Sequence, residues 1–294
     1  MSHLPDPAIL MAIKDLSLAA KTTISGFMAG INKSNVKGAG LEFSQYRSYQ
    51  PGDDLRWLDW RMYARSDRYY IRESEIETSI AVRLVIDASA SMKHRDGQFT
   101  KIEYARYVAA CLGCLAHNQG DAVGLYVLQQ QQVQALQPRK DPQHMARFYY
   151  QLEQIAPAGS FAAATQYKQL LTGETTRELL IVITDLYDRD GEIAQLLKTC
   201  SALRHEIIVL HLMGRNELEM DYSGYTALED LETGEIVGIS NRDAAGYRER
   251  MQQYLAAVRT QQLDQGIAYY LMPMNEPVDK ALRDFLKQRN KIMR

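Results

Sequence analysis

Cysteine is scarce: Cys111, Cys114 and Cys200 are the only 3 thiols in 294 residues. A sparse, odd set argues against a disulfide framework and for a reducing compartment. Long apolar runs are missing as well. No stretch approaches the roughly 18 residues that a bilayer-spanning helix needs. The first residues, MSHLPDPAILMAIKDLSLAAK, lack the basic start and apolar centre of a secretory leader. The expectation is a cytoplasmic protein without a membrane span. Neither sign of charge dominates: the net charge is −2 and the pI about 6.3, so no general attraction to nucleic acid or anionic membrane follows. No repeat of solenoid period is present.

Apolar residues are plentiful, at 46% of the chain, enough to fill a sizeable core. Their spacing is helical over 5–28, where Ile9, Leu10, Ile13, Leu16, Ala20, Ile24, Phe27 and Met28 recur on one face. A stretch rich in Gly, Asn and Ser follows. From Ile80 onward, strand-like and helix-like segments alternate. Strands are expected at 80–87, 122–128, 133–136, 177–185, 205–213 and 266–272. Helices are expected at 100–120, 141–155, 190–204, 243–265 and 278–290. Thr100 and Glu103 have the spacing of a capping box, which satisfies free N–H groups in a helix's first turn. Gln129–Gln132 reads as the turn of one hairpin and Thr233-Gly234 as the turn of a small second one.

Short apolar strands alternating with helices imply an α/β fold: a doubly wound, mainly parallel sheet with helices on both faces. Residues 1–78 form an N-terminal extension, a helix followed by an Arg/Trp-rich segment, expected to pack on the core. Residues 79–294 form the α/β domain, with the small hairpin inserted at about 224–240. Cys111 and Cys114 make a CxxC pair, but inside an apolar helical run. They are expected to be small buried residues on one helix face rather than a redox or metal pair.

The chemistry-bearing pattern is Asp87-Ala-Ser89-Ala-Ser91, at the carboxyl end of the first buried strand. Alternate residues in an extended turn can aim two hydroxyls at one point beside a carboxylate. Oxygen-only ligands of this kind suit a hard cation such as Mg²⁺. Asp185 ends a second apolar strand, and open α/β sheets gather such residues outside the carboxyl ends of their strands. The loop Ala156–Ser160 offers a further hydroxyl. The candidate metal ligands are therefore Asp87, Ser89, Ser91, Ser160 and Asp185. Read without a ligand, Ser89 and Ser91 would cap the following turn, and both aspartates would be ordinary strand-end acids.

The strand–DASAS–helix arrangement resembles the metal-ion-dependent adhesion site of von Willebrand factor A domains. There the first motif is joined by a threonine on a second loop and an aspartate on a third. Here the first motif matches fully and the third matches at Asp185. The second carries Ser160, which keeps the hydroxyl but lacks the methyl that fixes its rotamer. The resemblance implies Mg²⁺ or Mn²⁺ binding, weakened by that serine. It also implies an open coordination position that a partner's Asp or Glu fills. Upstream, GAGLEFSQYRSYQPGDDLRWLDWRMYARSDRYYIRESE (38–75) resembles the signature of the bacterial domain of unknown function 58 family. That resemblance spans nearly the whole chain and implies association with MoxR-type AAA+ ATPases.

Residues 47–72 hold Arg47, Arg56, Arg61, Arg65, Arg68 and Arg72, four aspartates (Asp53, Asp54, Asp59, Asp67), and both tryptophans, Trp57 and Trp60. Arginine without lysine points to forked hydrogen bonding. An internal Arg–Asp network fits best. A partner surface and an anion or nucleic-acid surface are the alternatives, the last disfavoured because the acids offset the arginines. The expected function is a metal-dependent protein–protein interaction module, an adaptor or co-chaperone rather than an enzyme. A metal-dependent hydrolase such as a phosphatase is the alternative; His94 is the only histidine near the motif in sequence. A scaffold whose site holds no metal is the third.

Overall fold

The computed structural model describes residues 15–24, 45–50, 58, 60–73, 80–172, 177–222, 225–238, 244–276 and 278–292. The described part of the expected N-terminal helix is α1, at 16–24. Contacts divide the chain into two compact units, in which α1 groups with residues 80–294 and residues 29–79 stand apart.

In the smaller unit, β1 (Gln45–Ser48) and β2 (Tyr70–Glu73) pair antiparallel, with α2 (Trp60–Ser66) between them in sequence. Tyr63 stacks on Tyr69, with ring centroids 4.5 Å apart. Asp53, Asp54, Arg56, Trp57 and Asp59 lie outside the described residues, and the Arg–Asp network expected there with them.

The larger unit is built on a sheet. Its first strand is β3 (Ala81–Asp87), and the short pair β4 (Arg95–Asp96) and β5 (Phe99–Thr100) leads into α3 (Lys101–Asn118). β6 (Ala122–Gln129) and β7 (Gln132–Arg139) form the glutamine-turn hairpin, followed by α4 (Pro142–Gln154) and α5 (Ala164–Thr172). β8 (Leu179–Thr184), α6 (Glu192–Ala202), β9 (Glu206–Met213) and α7 (Arg215–Glu219) come next. The small hairpin is β10 (Ala227–Glu229) and β11 (Ile236–Gly238); α8 (Ala244–Asp264), β12 (Ala268–Pro273) and α9 (Val278–Ile292) complete the chain.

The six-stranded order is β12-β9-β8-β3-β6-β7, parallel throughout except β7. β7 tolerates Pro138 because it is an edge strand, where a lost ladder N–H is harmless. Both faces of the sheet are covered, which is why its strands read as continuous apolar runs. One face buries Val82, Leu84 and Ile86 under α1, α3, α4 and α9. The other buries Val85 with Tyr167 of α5 and Ile193 and Leu196 of α6. Helix α1 joins the first face through Ala19, Ala20 and Ile24, and Thr23 hydrogen-bonds the Tyr107 hydroxyl of α3. The expected doubly wound α/β fold is what forms.

Cys111, Cys114 and Cys200 are free and buried. Burial pushes the Cys111 and Cys114 thiols up, so both are inert packing groups at neutral pH. Between the first two lies Gly113, where an added Cβ would sit 2.6 Å from Phe148 Cζ. The Phe148 ring is fully buried and cannot swing away. Gly113→Ala should therefore destabilise by about 1–3 kcal/mol, overpacking outweighing the gain of up to about 1 kcal/mol in helix propensity. Urea unfolding of the two proteins measures this.

The chain leaves β3 for β6 on one side of it and later returns to β8 on the other. The order reverses at β3, so a crevice opens beyond the carboxyl ends of β3 and β8, where such folds bind ligands.

Candidate metal-binding crevice

Asp87 is the last residue of β3 and Asp185 follows the last residue of β8, so both face that crevice. Asp87 is fully buried. Its Oδ1 accepts the Ser89 N–H at 2.9 Å and its Oδ2 the Thr184 hydroxyl at 2.7 Å. Ser89 is extended (φ −65°, ψ 165°) before a 3₁₀ turn at Ala90–Lys93. That conformation turns Ser89 and Ser91 the same way, and their hydroxyls lie 2.9 Å apart. The Ser91 hydroxyl donates to Asp185 Oδ1 at 3.2 Å.

The loop carrying Ser160 is stapled onto this turn. Ala158 N–H donates to the Ala88 carbonyl at 2.9 Å, and Ala90 N–H to the Gly159 carbonyl at 2.7 Å. Gly159 has φ +66°, a conformation that favours glycine, and an added Cβ would sit 2.9 Å from Gln130 Oε1. Ser160 turns its backbone to Gln130: its carbonyl accepts the Gln130 N–H at 2.9 Å. Among the described residues, the Ser160 hydroxyl makes no hydrogen bond to Asp87, Ser89, Ser91 or Asp185. The structure thus joins every sequence-predicted site residue except Ser160 in one hydrogen-bonded cluster, and brings the Ser160 loop only to its backbone.

Backbone strain marks the same place. Leu186, just after Asp185, has φ +54°, which costs a non-glycine residue on the order of 1 kcal/mol or more. Two bonds impose it: Leu186 N–H to Thr184 Oγ1 at 3.0 Å and Tyr187 N–H to Asp185 Oδ1 at 3.2 Å.

Three participants were not anticipated from sequence. Thr184 is one. Lys101, the first residue of α3, is the second: its buried ammonium bridges Asp185 Oδ2 at 2.8 Å and Glu217 Oε1 at 2.7 Å. Burial alone would drive the Lys101 pKa down, but Asp185 and Glu217 outweigh it and raise it. Burial would likewise raise Asp185, and the Lys101 charge wins and holds it below its ordinary value. Glu232, in the turn of the small hairpin, is the third. Burial, then the Asp185 charge, raise its pKa.

Among the described residues, no cationic side chain bonds Asp87. Burial, then the charge of Asp185, push its carboxyl up to about 7, against the hydrogen bonds from Ser89 and Thr184. An acid whose pKa is raised on folding favours the folded state while protonated in it. Without a bound cation, the Asp87 contribution should therefore fall as pH rises from about 4 to about 7, and stay low above. Asp185, with its lowered pKa, acts in the opposite sense and only below about pH 4. Thermal unfolding in EDTA should lose stability from pH 5 to pH 8 by an amount that Asp87→Asn removes.

Ser89 and Ser91 carry one hydroxyl proton each; Ser91 gives its own to Asp185, which leaves the Ser89 proton for the bond between the two hydroxyls. Glu232 Oε1 is enclosed and has no hydrogen-bond partner. Among the described residues no three His, Cys, Asp or Glu side chains converge closely enough to hold a metal by themselves. A cation here would need the hydroxyls and water, which is hard-metal chemistry. The donor set, a carboxylate beside two hydroxyls, fits such an ion.

The cluster opens into a groove of about 740 Å³ whose walls include Ser91, Lys101, Asp185, Tyr187, Glu217 and Leu228. His94 is half-buried in that wall, its Nε2 3.0 Å from Asn216 Oδ1. His211 of β9 lines it too, with Nδ1 2.7 Å from the Tyr269 hydroxyl. Burial pushes the His211 pKa down to about 4, so its ring is neutral at pH 7. No helix among the described residues is long and apolar enough to cross a membrane.

Comparison with known proteins gives a family match over most of the chain: the family described as "Protein of unknown function DUF58" matches residues 45–262. Uncharacterized protein Rv1480 of Mycobacterium tuberculosis (strain ATCC 25618 / H37Rv) is 27% identical over 235 residues, 79% of this chain and 73% of that one. Uncharacterized protein Mb1516 of Mycobacterium bovis matches to the same extent, 27% over 235 residues. Among solved structures, a conserved hypothetical protein, BatB from Bacteroides thetaiotaomicron, aligns with TM-score 0.46 and 20% identity, over 72% of this chain and 100% of that one. An aerotolerance-related membrane protein from Bacteroides fragilis gives TM-score 0.47 and 18% identity, over 72% of this chain and 100% of that one. The SpRpn10 VWA domain gives 0.40 and 11%, over 70% of this chain and 95% of that one.

Proposed function

The chain belongs to the DUF58 protein family, and from that premise we propose that it is a metal-dependent protein-interaction module that works by binding rather than by turnover. What carries the proposal is the crevice between β3 and β8, where Asp87, Ser89, Ser91 and Asp185, from two strand ends, gather their side-chain oxygens into one hydrogen-bonded cluster.

Asp87, Ser89 and Ser91 would hold a Mg²⁺ or Mn²⁺ ion, with water completing the shell. Asp185 acts through Ser91: its Oδ1 accepts that hydroxyl and its Oδ2 is occupied by Lys101. It thereby orients the serine and leaves its oxygen lone pairs to face the crevice. When bound, the ion supplies a Lewis-acidic position for a partner's Asp or Glu. Thr184 and the Ser89 amide fix both oxygens of Asp87, so little reorganisation is needed on binding. The serine hydroxyls face carboxylates and each other, and His211 is tied to Tyr269. Asp185, which accepts the Ser91 hydroxyl, is held below its ordinary pKa by Lys101 and is a poor base, so among the described residues of the crevice no serine has an effective base beside it, which favours binding over hydrolysis.

The family resemblance adds the partner: a MoxR-type AAA+ ATPase, with the module presenting it to a target protein that bears an acidic residue. The test is capture of a purified MoxR-type ATPase from the same source by the tagged chain. Capture should be lost in EDTA, return with Mg²⁺, and fail for Asp87→Ala at every Mg²⁺ level. Capture indifferent to both EDTA and Asp87→Ala would overturn the proposal. Turnover of a generic phosphate ester in Mg²⁺ or Mn²⁺ would favour a hydrolase instead.

A further inference from the structure

The six-stranded sheet ends differently on its two sides. At one edge, β7 carries Gln132, Gln134, Gln137, Pro138 and Arg139. Polar groups and proline of this kind keep an edge from pairing with foreign chains. At the other edge, β12 reads Ala-Tyr-Tyr-Leu-Met-Pro and carries no charge.

The register identifies the free groups of β12. Met274 N–H donates to the Met213 carbonyl of β9 at 2.9 Å. Backbone groups alternate in direction along a strand, so those of Tyr270 and Met272 face β9 and those of Tyr269, Leu271 and Pro273 face away. Pro273 therefore falls where the ladder asks for no N–H, and its carbonyl accepts the Glu276 N–H at 3.1 Å. Ile267, of the same outward set, donates to the Gln262 carbonyl of α8 at 3.0 Å. Among the described residues, the N–H and C=O groups of Tyr269 and Leu271 make no hydrogen bond.

These groups lie along a slot of about 500 Å³ between two helices. One wall is α8, with Leu255 and Arg259; the other is α9, with Asp284 and Phe285. Tyr269, Tyr270 and Met272 are only 9%, 7% and 2% exposed, so the edge is recessed. A second copy's β12 is recessed to the same degree, and the helices would collide before two such edges could pair. A single extended chain is thin enough to enter. Its side chains would point alternately to the two walls. Among the described residues no ion pair engages Arg259 or Asp284, so the walls offer one free charge of each sign.

We propose that the β12 edge is a docking slot for an extended segment of a partner protein. The segment adds as a further strand, hydrogen-bonded to Tyr269 and Leu271, with an acidic residue toward Arg259 and a basic one toward Asp284. Because the walls lie on opposite faces, those two residues stand an odd number of positions apart. The slot uses no metal and stands whether or not the crevice binds one.

The probe is a phage library of random linear heptapeptides, selected on the full chain in EDTA so that the crevice is silent. Selected peptides, made synthetically, should carry an acid and a base at odd spacing. They should slow hydrogen exchange at the Tyr269 and Leu271 amides tenfold or more. Leu271→Pro removes an outward donor and leaves the β9 ladder intact, which thermal unfolding of the variant checks. It should weaken the peptides tenfold or more. Arg259→Glu, an exposed change, should weaken them as well, and Asp87→Ala should leave them unchanged. Failure to select any binder would overturn the proposal. So would peptides that bind Leu271→Pro as tightly as wild type and leave both amides untouched. A dimer in sedimentation that Leu271→Pro dissociates would make a second copy the occupant and overturn the partner segment.

Discussion

Lys101→Met is expected to destabilise the protein by about 3–5 kcal/mol at pH 7–8, the usual cost of removing one partner from a buried ion pair. Among the described residues, the Lys101 ammonium is the only positive group bonded to Asp185, and it bonds Glu217 as well. The side chains of Lys101 and Asp185 are 4% and 3% exposed, so solvent cannot take over. Methionine matches the length of the stem, which confines the loss to the charge and its hydrogen bonds. Asp185 relieves part of the cost by taking up a proton, so the difference from wild type should shrink toward pH 4. The same variant should bind Mg²⁺ more tightly, because a positive charge next to Asp185 opposes a second cation nearby. Urea unfolding at pH 8 and pH 5, with and without Mg²⁺, reads all of this.

Asp87→Asn should act in opposite directions with and without metal. In EDTA at pH 8 the variant is expected to be more stable than wild type by on the order of 1–3 kcal/mol, since it removes a buried charge that burial and Asp185 both disfavour. The gain is limited because asparagine offers one acceptor oxygen, where Asp87 uses two for Ser89 N–H and Thr184. In Mg²⁺ the order should reverse. Wild type gains about 2.7 kcal/mol at a free concentration near a hundred times Kd, and a variant that does not bind gains nothing. A site residue whose removal stabilises the empty protein is one kept for binding.

The sheet and the motif edge were legible for one reason: both depend on local pattern. The continuous apolar runs of β3, β8 and β9 announce strands buried on two faces, and a parallel sheet sends their carboxyl ends to one edge. Asp87, Ser89, Ser91 and Asp185 could therefore be grouped from sequence alone. Thr184 was visible as the neighbour of Asp185, yet inward and outward strand residues look alike until the register is known. Lys101 sits in a recognisable capping box, but nothing in Thr-Lys-Ile-Glu says that its ammonium reaches Asp185, 84 residues on. Glu232 carries no local signal at all; its place depends on how an inserted hairpin folds back over the sheet edge. Ser160 was expected to bring its hydroxyl to the cluster, but its loop meets the motif turn only through the backbone of Ala158 and Gly159; where a loop side chain points answers to contacts that no pattern encodes. The boundary strand β7 runs to Arg139, beyond the expected 133–136, because pairing with β6 extends a polar strand that has little hydrophobic signal.

Calorimetric titration of Mg²⁺ into the wild-type chain and into Asp87→Ala asks the central question most directly: do oxygens from separate loops share one ion? A single saturable site in the wild type and none in the variant is the predicted result. Heat without saturation in both, or the same site in both, would contradict it.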